Sequence, residues 1–270
     1  MTDTLITEPL TTATLTTATL TTATPTAVAD LPSISDMTIT GRTPEVEFGL
    51  VAFDLYRDIH KGIRTELFAV TTEAGRLDPW DRDGRAALSC QVRSMIGLLV
   101  GHAEHEDGAI QPVLEAQLPV LAELVEKDHV WLEDRMEDLA EMADDTLDAP
   151  QHELRPRLHQ LYLELASFTS AYLRHQDMEE RVIMPSLEVA IGVPAVIGIH
   201  EAIIGSIPPQ EMARSLALML PAMNLDDRAE MLGGMRAGAP PEVFSDVWNL
   251  VGSVLEPADH SALARRLELS

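Results

Sequence analysis

His102-Ala-Glu-His-Glu106-Asp107 leads to Pro112, and His175-Gln-Asp-Met-Glu179-Glu180 leads to Pro185. Both segments read His, three residues, Glu, a second acid, four residues, Pro. Residues four apart on an α-helix lie one above the other on the same face. Each segment therefore points an imidazole and a carboxylate in one direction if it is helical. The neighbouring sequence says that it is.

Apolar residues recur at alternating steps of three and four on either side of these histidines, the period of a helix that packs into a bundle core. Helix one is expected over 46–72, with the stripe Gly49, Phe53, Tyr56, His60, Ile63, Leu67, Val70. Helix two, over 84–118, carries Met95, Leu98, Leu99, His102, Glu106, Ala109 and Val113. Pro119 suits the first turn of helix three, which ends near 143 and carries Leu121, Val125, His129, Leu132, Met136 and Leu139. A polar connection, 144–150, leads to helix four over 153–190, with Leu161, Leu165, Phe168, Tyr172, His175, Glu179 and Val182 inward. No alternating Val, Ile or Thr run bounded by turn residues signals a strand. The expected fold is all-α: an up-down four-helix bundle over 43–192 with a further helical segment after it.

Each helix thus places a histidine in mid-stripe: His60, His102, His129 and His175. Three have a glutamate four residues on: Glu106, Glu133 and Glu179. Burying such groups unpaired costs several kcal/mol, so a core with this many inward imidazoles and carboxylates calls for cations. With the turn between helices two and three near 117–118, level residues number about 235 together. That sets Glu106 opposite His129 and His102 opposite Glu133. The 46 residues from His129 to His175 fit less neatly and call for a longer connection or a late start to helix four. Mixed imidazole and carboxylate ligands without thiolate suit iron, manganese or zinc. A single such histidine taken alone reads better as a satisfied core or surface residue. Glu133 reads equally as a ligand or as a solvated charge at the edge of its stripe. Tyr56 and Tyr172 face the same chamber, as core aromatics or as donors to the site.

The order H, HxxxE, H, HxxxE on four successive helices, spaced by 42, 27 and 46 residues, resembles the hemerythrin (HHE cation-binding) family. The resemblance covers roughly 45–190. It implies two non-haem iron ions, oxo- and carboxylate-bridged, with manganese or zinc as the lesser alternatives. His60, His102, His129 and His175 would be terminal ligands, and Glu106 and Glu179 the bridges. Glu133 falls where oxygen-carrying members have another histidine, which argues against simple reversible oxygen carriage. The resemblance implies binding of, or reaction with, small oxidants (dioxygen, peroxide, nitric oxide). A catalase-like enzyme, a sensor and an iron-handling or iron-centre-repair module are the competing roles. The repair role is weakened because no Cys-bearing N-terminal domain is seen.

Residues 1–42 repeat Thr-Thr-Ala-Thr-Leu at 11–15 and 16–20, a tract too poor in large apolar side chains to offset its ordering entropy, and read as a disordered tail. From 193 to 270, Pro208-Pro209, Gly233-Gly234 and Pro240-Pro241 punctuate three to five short amphipathic helices. These are expected to pack on the bundle or on another copy, and resemble the tails of longer actinobacterial members. The most apolar stretch, 189–207, is interrupted by Pro194, His200 and Glu201 and reads as a buried helix, not a membrane span. The net charge of -25 disfavours nucleic acid and anionic membranes. One cysteine, Cys90, excludes an internal disulfide, and no signal-peptide pattern opens the chain, so a cytoplasmic location is expected.

Overall fold

The computed structural model describes residues 51–269. The tail read at 1–42 and the first residues of the expected helix one lie outside them. Among the described residues every regular element is helical. The bundle consists of α1 (Arg57–Arg76), α2 (Arg82–Ala109), α3 (Gln111–Gln117), α4 (Pro119–Asp148), α5 (Gln151–Met178), a π turn (Glu179–Ile183) and α6 (Met184–Ile191). α1 packs on α2 and α5, and α4 packs on the same two, so each long helix has two neighbours around a central core.

The stripes form that core. Ile63, Leu67, Val70, Met95, Leu99, Leu132, Met136, Leu139, Leu161, Leu165 and Phe168 are buried together. A second apolar cluster gathers Tyr56, Ile110, Leu114, Val125, Ile183, Met184 and Leu187. The four stripe histidines fall between these clusters in sequence on each helix, so the polar layer is sandwiched by two apolar ones. Burial of this apolar surface, at roughly 25 cal/mol per Å², is the main force that closes the layer against water.

Several expectations need correction. The second helix is not continuous to 118: it breaks at Ile110 and restarts as α3. Pro112 has no N–H to donate to the preceding turn and its ring crowds the carbonyl there. The third connection is not long but short, Ala149-Pro150, because α4 runs on to Asp148 and α5 starts at Gln151. The fourth helix is not a uniform α-helix. Its π turn takes in one extra residue, so the inward position passes from Val182, which is 44% exposed, to the fully buried Ile183.

After Gly192, at φ +80, the axis turns through 115° into α7 (Val193–Ser206). The stretch 189–207 is therefore not one buried helix. It is split at a glycine that can adopt positive φ, and α7 buries only Val196 and Ile199. Then follow α8 (Pro209–Ala222), α9 (Leu225–Gly238), α10 (Pro241–Val254) and α11 (Pro257–Arg266). The side chain of Asn224 accepts from the Asp226 and Asp227 N–H groups and starts α9. A proline in the first turn starts each of the other four, where its missing N–H costs no helix bond. α8 lies against α1 at Gly62, where an added Cβ would come 2.9 Å from Leu218 Cγ. No single helix among the described residues is long and apolar enough to cross a membrane.

Candidate metal centre

The four histidines and two of the three glutamates meet at the centre of the bundle. On α2, His102 Nε2 lies 3.0 Å from Glu106 Oε1, and the other oxygen of Glu106 lies 3.4 Å from His129 Nε2 on α4. On α5 and its π turn, His175 Nε2 lies 3.1 Å from Glu179 Oε1, and the other oxygen of Glu179 lies 3.4 Å from His60 Nε2 on α1. Each carboxylate thus spans two imidazoles from different helices. Two donor groups result, Glu106, His129, His175 and Glu179 in one, and His60, His102 and Glu106 in the other, each with ligand atoms within 4.8 Å of one another.

The imidazoles are oriented from behind. Glu180 accepts from His60 Nδ1 at 2.9 Å, and Asp107 from His129 Nδ1 at 2.9 Å. With Nδ1 carrying the proton, Nε2 turns its lone pair inward. His60 Nε2 faces His102 Nε2 at 3.2 Å. Asp128 stands 3.6 Å from His175 Nδ1. Arg64 grips both oxygens of Glu180, at 2.7 and 3.0 Å. Asp107, Asp128, Glu180 and Arg64 were not among the residues singled out from sequence as ligands. The second acid in the repeated pattern was the signal for Asp107 and Glu180.

Glu133 does not join the site. It is exposed and belongs to neither donor group. The stripe of α4 passes through His129, Leu132 and Met136, and Glu133 stands one residue, about 100°, around the helix from Leu132. The expected facing of His102 and Glu133 fails with it, whereas that of Glu106 and His129 is present. His105 pairs with Glu211 of α8 at 3.1 Å, and His200 sets its ring against Phe53 at 5.0 Å.

The electrostatics of the layer are those of opposed charges held out of water. Burial opposes charge on Glu106, but His102 and His129 hold its carboxyl well below the usual range. Burial likewise opposes protonation of the imidazoles. Asp107 and Glu106 nevertheless raise His129 to about 10, Glu179 and Asp128 raise His175 to about 9, and Glu106 raises His102. Tyr56 stacks on His60 at 5.0 Å and Tyr172 meets His175 edge-on at 5.7 Å. Burial first, and then Glu106 and Glu179, push both phenols well above their ordinary value, so both stay protonated. A tight cleft lined by Tyr56, Glu106, Gln111, Leu114, Val125 and Glu179 reaches the layer.

Both oxygens of Glu106 and of Glu179 are buried with no aligned hydrogen-bond donor, as are His129 Nε2 and His175 Nδ1. Buried polar atoms are rarely left so; His175 Nδ1 faces Asp128 behind it, and the other five converge on one volume and fit positive charge at the centre. Fold and site together define a helical bundle with a buried imidazole–carboxylate layer suited to cations. The hemerythrin HHE cation-binding domain model matches residues 51–187, half of the chain, and the protein belongs to that family. No match was found among the curated proteins or among the solved structures.

Proposed function

We propose that this protein holds two iron ions and binds or reduces small oxidants, dioxygen, hydrogen peroxide or nitric oxide, in defence against oxidative or nitrosative stress. The observation that carries the reading is the set of unsatisfied oxygens on Glu106 and Glu179, each carboxylate set between imidazoles of two helices. His60 and His102 would hold one ion, His129 and His175 the other, with Glu106 and Glu179 shared. Mixed imidazole and carboxylate ligands without sulfur suit iron, manganese or zinc, and the shared carboxylates and the family favour iron. When bound, an iron pair supplies electrons to, or open coordination positions for, a small ligand.

The chain's own part is separable. Glu180 and Asp107 fix the tautomers of His60 and His129. The two apolar clusters exclude bulk water. Tyr56 and Tyr172, held protonated by burial and by the nearby Glu106 and Glu179, keep neutral phenols beside the layer. The acidic chain would act on small molecules in the cytoplasm, without nucleic acid or membrane partners. Iron analysis and absorption spectra before and after added peroxide test the proposal. Two irons per chain and bands that change and then recover as peroxide disappears are expected. Absence of iron, with stability unchanged when His102 and His175 are replaced, would overturn it.

A second reading, sensing without turnover, is favoured by the docking of the C-terminal helices on α1. Arg57 and Lys61, which flank His60, pair with Glu230 and Asp227 of α9. In that case peroxide should alter protease cleavage beyond residue 193, or self-association through those helices, without being consumed.

A further inference from the structure

The layer has approximate two-fold symmetry. His60 on α1 corresponds to His129 on α4, and the His102, Glu106, Asp107 segment corresponds to His175, Glu179, Glu180. The distances repeat: 3.0 and 3.1 Å within each segment, 3.4 and 3.4 Å across helices, 2.9 and 2.9 Å from Nδ1 to the acid behind. Against this symmetry the surrounding charges differ.

Behind His60, Glu180 is neutralised by the two-pronged grip of Arg64, one helical turn after His60. One turn after His129 the corresponding residue is Glu133, an exposed anion. Asp107 has no such grip: among the described residues no Lys or Arg pairs with it. The residue before His129 is the buried Asp128, which faces His175 Nδ1 at 3.6 Å and with which no Lys or Arg pairs among the described residues. The residue before His60 is Ile59, which packs among apolar side chains. The His129/His175 half is thus backed by two carboxylates that no Lys or Arg shares, one of them buried, whereas the carboxylate behind His60 is shared with Arg64.

We infer that the two cation positions are unequal: the His129/His175 position fills first and holds its ion more tightly, and Arg64 keeps the His60/His102 position weak and exchangeable. Carboxylates behind a ligating imidazole make it a stronger donor and attract the ion directly. An arginine that shares the carboxylate withdraws both effects. Arg64 is a positioning residue here, two groups removed from the ion. The inference rests on the proposal that this layer binds two cations.

The test is a calorimetric titration of the metal-free, full-length protein with zinc ions alone. Two steps separated by at least about tenfold are expected, since such outer contacts are worth roughly 10–100-fold in affinity. His129→Gln should remove the tight step, and His60→Gln should spare it. Asp128→Asn should weaken the tight step about tenfold or more. Arg64→Gln should tighten the weak step toward the strong one, and Arg64→Lys should restore the gap. Circular dichroism melts of each variant separate a lost step from a lost fold. Two steps of equal affinity, or a tight step that survives His129→Gln and disappears with His60→Gln, would overturn the inequality and leave the proposed function standing. An Arg64→Gln variant that moves neither step would overturn its role. If no zinc and no iron binds, the proposed function falls too.

Discussion

Loading the site should expel protons, and their number follows from the charges in the layer. Imidazoles must be deprotonated at the ligating nitrogen, so each protonated histidine in the metal-free protein releases a proton when an ion enters. His129, raised to about 10, and His175, raised to about 9, are both protonated at pH 7.5. Each is then more than about 95% charged, against about 10% for an ordinary histidine of pKa near 6.5. Two divalent ions should therefore release about two protons at pH 7.5, with a further fraction from His102, which is also raised. At pH 10.5 the same two histidines should supply fewer than about 0.5. The assay is calorimetric titration with zinc in buffers of different ionisation enthalpy, where the slope of heat against that enthalpy counts protons. His175→Gln should lower the count by about one. Any water ionised on a bound ion can only add to the release. A count below one at pH 7.5 would show that these imidazoles are already neutral or are not the ligands, and would refute the reasoning. The sign for stability follows from the same shifts. Because the folded values lie above the unfolded one, the metal-free protein gains this stabilisation in full below pH 6.5, and loses it as pH rises through 9 and 10.

Glu180 has the opposite sign: burial resists its charge, yet His60 and Arg64 hold it down to about 2, so its contribution is present above pH 4.5 and lost as pH falls toward 2. Glu180→Gln should flatten that acid limb in urea titrations. Glu133→Gln, a change on an exposed residue, should leave metal content unaltered and stability within about 0.5 kcal/mol, checked by metal analysis and thermal melts. Gly62→Val should destabilise by about 1–3 kcal/mol, because its side chain would meet Leu218 and the backbone of Met219, and limited proteolysis should then release the C-terminal helices earlier.

The stripe residues were legible from sequence because helical periodicity reports burial directly: Ile63, Leu99, Leu132 and Phe168 are all in the core. The site histidines were legible for the same reason, as polar interruptions of apolar stripes. Glu133 was not, since a spacing of four from His129 looks identical to that of Glu106 from His102, and only the packing of Leu132 decides which side of α4 faces inward. Arg64 was hidden for another reason. Its partner Glu180 is 116 residues away, and no local pattern announces a pairing across helices. The break in α2 could have been anticipated from Pro112. The π turn could not, because Glu-Glu-Arg-Val-Ile has no composition that distinguishes it from an ordinary helical turn.

That turn has an evolutionary side. A five-residue turn within an otherwise regular helix is what a one-residue insertion leaves when both helix ends are already held by packing. Here α5 is held by Phe168 and Tyr172 on one side, and the continuation by Ile183, Met184 and Leu187 on the other. The slack falls on Glu179 and Glu180, one a carboxylate of the layer and the other the acid behind His60. A lineage that lost this single codon would keep four helices, four histidines and the same apolar stripes. It would close the π turn into an ordinary α turn and leave Ile183, Met184 and Leu187 facing the interior. A gap of one residue between 179 and 183 in a relative's alignment would therefore mark a different arrangement behind the first histidine, though every ligand still aligned.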